Sequence, residues 1–205
     1  MLKNNIEVIP VYFYICPGIE FIEENIRLYE RFYGIKVIRL PHPMLQDFIN
    51  YTHFQPLHKA KFIDQFYAKG DQYQSFQGIM QWYFKKEGIS CEYDVNCMKM
   101  ADSINRRLFL RKLPDIDHDK KVIYLGKYLR NSEIWPYLKE NKIPITRDYE
   151  LFGRSADNLL NYQYIINIKK EYPDDFNTIK SYFPFIELEI LRYESYLKYY
   201  ENGKK

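Results

Sequence analysis

The sequence predicts an α/β fold, a doubly wound, mostly parallel sheet of about four strands with helices on both faces, followed by a helical C-terminal region. Short apolar runs of strand length alternate with segments of helical periodicity, the order that builds parallel sheets. The first run, Val8-Ile-Pro-Val-Tyr-Phe-Tyr-Ile15, is β-branched or aromatic at nearly every position, the pattern of a strand covered on both faces. From about residue 150 to 205 the patterning is helical.

In order, Val8–Ile15 reads as the first strand, ended by Pro17-Gly18. Phe21, Ile22, Ile26, Leu28 and Tyr29 then fall at broadly helical spacing within a helix over Glu20–Phe32, closed by Gly34. Ile35–Leu40 is the second strand, halted by Pro41-His42-Pro43, and this β-α-β unit makes the two strands parallel through a right-handed crossover. Residues 44–90 read as helical and aromatic-rich, most clearly over Gln72–Lys86 with Gly88 as the stop. A third strand fits Glu92–Cys97, a helix Asp102–Leu110, a fourth strand Lys121–Leu125, and helices Ser132–Asn141 and Phe185–Tyr200.

At 205 residues, 46% apolar with 21 Tyr and 14 Phe, the chain can bury a sizeable core, and it is expected to form one ordered domain over residues 1–205 with the stretch from about 150 packed on it. Its 30 basic and 27 acidic side chains are mixed along the sequence, a balance that argues against nucleic-acid wrapping or membrane attraction. Glu7 and Pro10 interrupt the only candidate signal peptide, and no apolar segment is long enough to span a bilayer. Cys16, Cys91 and Cys97 are odd in number and form no Cys-x-x-Cys pair, which indicates neither a disulfide framework nor a zinc or iron–sulfur site. A reducing cytoplasm is the expected compartment.

A doubly wound sheet binds ligands outside the carboxyl ends of its strands, which directs attention to the loop after the third strand. There Cys97-Met-Lys-Met-Ala-Asp-Ser-Ile-Asn-Arg-Arg107 offers Asp102 or Ser103 as a helix cap, and Lys99, Ser103, Arg106 and Arg107 as groups that converge on an anion. The competing reading is a capped helix with solvated charges. His42, between prolines at the end of the second strand, faces the same crevice as a base or phosphate contact or a general base. Gly153-Arg154 is a second candidate anion contact, with a plain turn as the alternative. Cys97 is read as a strand-end filler or a reactive thiol. His53 and His58 lie among aromatic residues, and Asp115-Ile-Asp-His-Asp119 reads as a solvated acidic loop, so that no metal is expected. The stripe Tyr193, Tyr196, Tyr199, Tyr200 packs on the body of the domain or, if exposed, forms a partner surface.

The loop after the third strand resembles the Gly-x-Arg-x-x-x-Ser-x-x-Arg segment of the phosphoadenosine-phosphosulfate (PAPS) reductase family, with Lys99, Ser103 and Arg106 at the Arg, Ser and Arg positions and Cys97 at the Gly position. Further similarity follows in the same order: Trp135-Pro-Tyr-Leu, Asn141-Lys-Ile-Pro-Ile and Asp148-Tyr-Glu-Leu-Phe-Gly-Arg-Ser155, over roughly residues 6–195. Ile6–His42 and Tyr172-Pro-Asp-Asp-Phe to Arg192-Tyr-Glu resemble most the PAPS-reductase-like proteins of phages and mobile elements. The resemblance implies the adenine-nucleotide alpha-hydrolase-like (HUP) fold of the PP-loop superfamily with its first strand missing, and ATP or a sulfonucleotide as ligand held through Lys99, Ser103 and Arg106, with Gly153 and Arg154 where the family's chain returns to the pocket; Arg107 and His42 join these from their position in the sequence alone.

The departures matter as much. The family's Ser-Gly-Gly-x-Asp-Ser phosphate loop occurs nowhere in the sequence, and no cysteine follows Cys97, so the family's nucleophilic thiolate has no counterpart and no iron–sulfur cluster is expected. The missing first strand lies, in that fold, between the strands Val8–Ile15 and Glu92–Cys97. Either these two pair directly, or another chain or self-association supplies a strand, or the sequence is one piece of a longer product. Three functions remain open. One is an adenine-nucleotide or sulfonucleotide binding domain without reductase activity of its own. Another is a phage or mobile-element structural or interaction protein with a vestigial pocket, and the third is a separately encoded half of an adenylating or sulfur-transfer enzyme.

Overall fold

Four successive β-branched or aromatic residues favour a pleated backbone near the N-terminus, and in the computed structural model, which describes residues 6–50, 75–153 and 162–202, they form β1, Val11–Tyr14. The chain continues through α1 (Glu20–Tyr33), β2 (Ile38–Pro41), α2 (Pro43–Asn50), α3 (Phe76–Glu87), β3 (Asp94–Val95), α4 (Ile104–Leu110), β4 (Ile116–Asp117) and β5 (Val122–Ile123). Helices α5 (Asn131–Glu140), α6 (Arg147–Phe152), α7 (Tyr162–Glu171), α8 (Pro173–Tyr182) and α9 (Ile186–Asn202) complete it. The architecture is mixed α/β, and among the described residues no helix is long and apolar enough to cross a membrane.

The chain divides into two compact units, Met1–Trp82 with Ile145–Lys205, and Tyr83–Pro144. In the first, β1 and β2 run parallel with Val11 opposite Ile38 and Tyr14 opposite Pro41, and α1 makes the crossover. Arg39 on β2 ties the strand to that helix, reaching Glu23 Oε2 at 2.9 Å and Glu30 Oε1 at 2.8 Å. The amino end of α1 is held from far along the chain. Its N-cap residue, Ile19, makes no side-chain cap, and the N–H groups of Glu20 and Phe21 donate to the Asp175 carboxylate at 2.7 and 2.8 Å. The buried cluster of this unit joins Cys16, Ile19 and Phe21 to Ile165, Ile168, Phe176, Ile179, Phe183 and Ile186. The C-terminal helices therefore supply much of the core of this unit.

The second unit has a three-stranded sheet in the order β3-β5-β4, with β3 parallel and β4 antiparallel to β5. Its buried cluster is small: Leu110, Val122 and Tyr124, flanked by Met98, Met100 and Leu113. Lys127, only 4% exposed, stitches the loops of this unit by donating to the Leu113 carbonyl at 2.7 Å and Asp115 Oδ1 at 2.9 Å.

Where a single sheet of about four strands was expected, the described strands form two small sheets, and β1 does not pair with β3. The regular ladders are also shorter than the apolar runs that announce them: Glu92–Cys97 yields only Asp94–Val95, though the Asn96 N–H still bonds the Ile123 carbonyl at 2.8 Å. Strand β4 falls in the acidic stretch read as a loop. Backbone pairing with β5 is satisfied there whatever the side chains, so their polarity concealed it.

Candidate functional site

Two features stand at carboxyl ends of strands, one in each unit. In the second unit the chain leaving β3 is pinned before it reaches its basic residues. The Asn96 side chain accepts the Met98 N–H at 2.9 Å, and Met100 N–H donates to the Lys127 carbonyl at 3.0 Å. Gly126 lies so close to this segment that a Cβ there would stand 2.4 Å from the Cys97 carbonyl oxygen. Only a hydrogen fits.

Beyond that anchor Ser103 takes extended backbone and caps α4, its Oγ accepting the Arg106 N–H at 3.1 Å. Asp102, freed from capping, becomes the centre of the cluster. Lys99 Nζ lies 3.2 Å from its Oδ1 and Arg106 Nη1 2.8 Å from its Oδ2. Lys99 also donates to Asn131 Oδ1 at 2.9 Å. The expected pair of cations thus converges on one point, and a carboxylate of the protein occupies it. Arg107 turns elsewhere, its Nε lying 3.5 Å from the Met100 carbonyl. The Lys99, Asp102 and Arg106 side chains are 22, 28 and 50% exposed. Ion pairs as wet as this are worth about 0–1 kcal/mol.

In the first unit a cavity of about 490 Å³ opens where β1 and β2 end, lined among others by Tyr12, Asn25, Tyr29, His42, Asp148 and Tyr164. His42 leaves β2 and is fixed by its neighbours: its Nδ1 accepts the Met44 N–H at 3.0 Å and its ring meets Phe76 edge-on at 4.8 Å. Burial lowers its pKa, favouring the neutral ring, and with Nδ1 accepting, the proton sits on Nε2. Burial likewise pushes the Tyr12 hydroxyl and the Cys16 thiol up to about 12. Both stay protonated near neutrality. A volume of this size and a mostly apolar wall with a few polar groups are common features of small-molecule sites.

Gly153 serves as the left-handed C-cap of α6, its N–H donating to the Tyr149 carbonyl, while Arg154, His53 and His58 lie outside the described residues. The acidic loop is engaged internally: Asp115 by Lys127 and Tyr128, Asp117 by the Lys120 N–H, His118 Nδ1 by the Tyr93 hydroxyl at 2.8 Å. Among the described residues no three His, Cys, Asp or Glu side chains gather as a metal site. Cys97 is exposed and Cys16 buried.

Three contributors went unread in the sequence. Asp102 sits three residues after Lys99 and four before Arg106, but Lys99 and Asp102 lie in the turn before α4 and Ser103 is extended, so it is that turn, and not a shared helical face, that sets the carboxylate between the cations. Asn131 and Gly126 carried no signal, because their roles arise from contacts across loops. No protein-family model, curated protein or solved structure matches the chain.

Proposed function

We propose that this protein is an adenine-nucleotide or sulfonucleotide binding domain related to the PAPS reductases, without reductase activity of its own, built on the adenine-nucleotide alpha-hydrolase-like fold less its first strand. The observation that carries the reading is the meeting of Lys99 and Arg106 on a single carboxylate just past the carboxyl end of β3. Two cations already focused on one small anion form a seat for a phosphate or sulfate group, with Arg supplying the forked donors and Lys a point charge. The topology agrees with it. Removing the first strand from that fold leaves two separate parallel pairs, and β1·β2 and β3·β5 are separate and parallel.

Burial pushes the Cys16 thiol up to about 12, which disfavours it as a nucleophile. Calorimetric titration with ATP, adenosine phosphosulfate and PAPS tests the reading. Micromolar binding by at least one of them is expected. Arg106→Ala should weaken it roughly 10- to 100-fold, the loss of one or two charge-assisted hydrogen bonds. No heat with any of the three would overturn the proposal.

One observation favours a second reading, that of an interaction protein. Tyr196, Tyr199 and Tyr200 on α9 are 52, 77 and 52% exposed, a clustered aromatic surface of the kind found where partners dock.

A further inference from the structure

β1 is an edge strand whose sequence belongs inside a sheet. The Pro10 carbonyl accepts the Ile38 N–H and the Tyr14 carbonyl accepts the His42 N–H, so the even-numbered residues of the strand turn their backbone groups toward β2. The N–H and C=O groups of Val11 and Phe13 therefore point to the opposite side, where no strand among the described residues pairs with β1. Edges left open in this way are normally blunted by a Lys, a Pro or a bulge. None of these devices lies on the strand itself: Pro10 turns its backbone toward β2, so its missing N–H leaves the outer side unaffected, and from Val8 to Ile19 there is no charged residue.

We infer that this open edge of β1 is an interface with a second copy of the chain, the two β1 strands pairing antiparallel about a two-fold axis at Tyr12. The edge is complementary to itself. With Tyr12 on the axis, Val11 stands opposite Phe13 of the other copy, both residues carry outward-facing backbone groups, and they exchange N–H···O=C bonds. The same register sets Ile9 against Ile15 and Val8 against Cys16, so no charge opposes another and no proline occupies a bonding position. Aromatic and β-branched side chains meet across the join, the pairs that stabilise sheets most. The result is one continuous sheet in the order β2-β1-β1-β2. This pairing stands apart from nucleotide binding and survives if that reading fails.

Light scattering and analytical ultracentrifugation of the full chain decide it. Twice the monomer mass is expected at micromolar concentration, with reversible dissociation on dilution. Val11→Pro removes an outward N–H without touching a bond to β2, and it should abolish the dimer while the far-ultraviolet circular dichroism stays unchanged. Should that variant fail to fold, amide hydrogen exchange on the wild type answers instead: the Val11 and Phe13 amides should exchange slowly in the dimer and faster on dilution. A wild-type chain that is monomeric at every concentration overturns the inference, as does a dimer in which those two amides exchange freely.

Discussion

Asp175 offers the sharpest test of how the first unit is assembled. Its carboxylate is 4% exposed and accepts the N–H groups of Glu20 and Phe21, the first two of α1, across more than 150 residues of chain. Ile19, the N-cap, cannot replace it. Removing a side-chain cap from an ordinary exposed helix costs about 0.5–2 kcal/mol, but here two donors lose a charged acceptor. Each such bond is worth about 1.5–3 kcal/mol, and orphaned buried donors retain their desolvation cost. Asp175→Ala should therefore destabilise the unit by about 3–5 kcal/mol, and Asp175→Asn, which keeps one acceptor oxygen, by about half that. Asp174→Ala is the control. It removes a carboxylate from the same first turn of α8 with no bond to α1, so it should cost no more than about 0.5 kcal/mol. Urea denaturation followed by circular dichroism reads all three as shifts in midpoint at constant slope. Asp175→Ala within about 0.5 kcal/mol of wild type would refute the view that α1 is capped from α8.

Asp102→Asn removes the internal competitor from between Lys99 and Arg106, and calorimetry should show ATP or a sulfonucleotide binding more tightly than to the wild type. The Glu30 carboxyl, held at about 2 by its hydrogen bonds from Arg39 and from the Val37 N–H, is lowered from its ordinary 4.5. Its contribution is complete above pH about 4.5 and is lost as the pH falls toward 2, so Glu30→Gln should flatten the acid limb of a stability profile measured by thermal melting. A chromogenic disulfide reagent at pH 8 should modify Cys91 and Cys97 in the native protein while Cys16, with its thiol near 12, reacts only after unfolding. Gly126→Ala forces the Cys97 carbonyl aside and should cost about 1–3 kcal/mol, with displaced resonances for Cys97 to Lys99 as the spectroscopic sign.

Much of the fold was legible where local chemistry decides it. The helix from Glu20 ends at Gly34 because the periodic residues stop there, and the strands at Val11 and Ile38 form because nothing in those runs favours any other backbone. What the sequence concealed is long-range. The division of strands between two sheets depends on which edges meet, and the cap of α1 depends on a carboxylate that only folding brings near. The same limit governed the site. The basic residues after β3 could be found from their order, yet the turn before α4 that brings Lys99 toward Arg106 also sets Asp102 between them, and Arg107, one residue on, points away.

Nitrogen-edited NMR of the labelled protein, titrated with ATP, adenosine phosphosulfate or PAPS, addresses the anion seat itself. Saturable movement of the Arg106 Nε–H and of the backbone amides from Lys99 to Arg106 is expected, at lower ligand concentration in Asp102→Asn and absent in Arg106→Ala. If those resonances stay in place with every one of the three ligands, Lys99 and Arg106 hold Asp102 alone and no nucleotide binds between them.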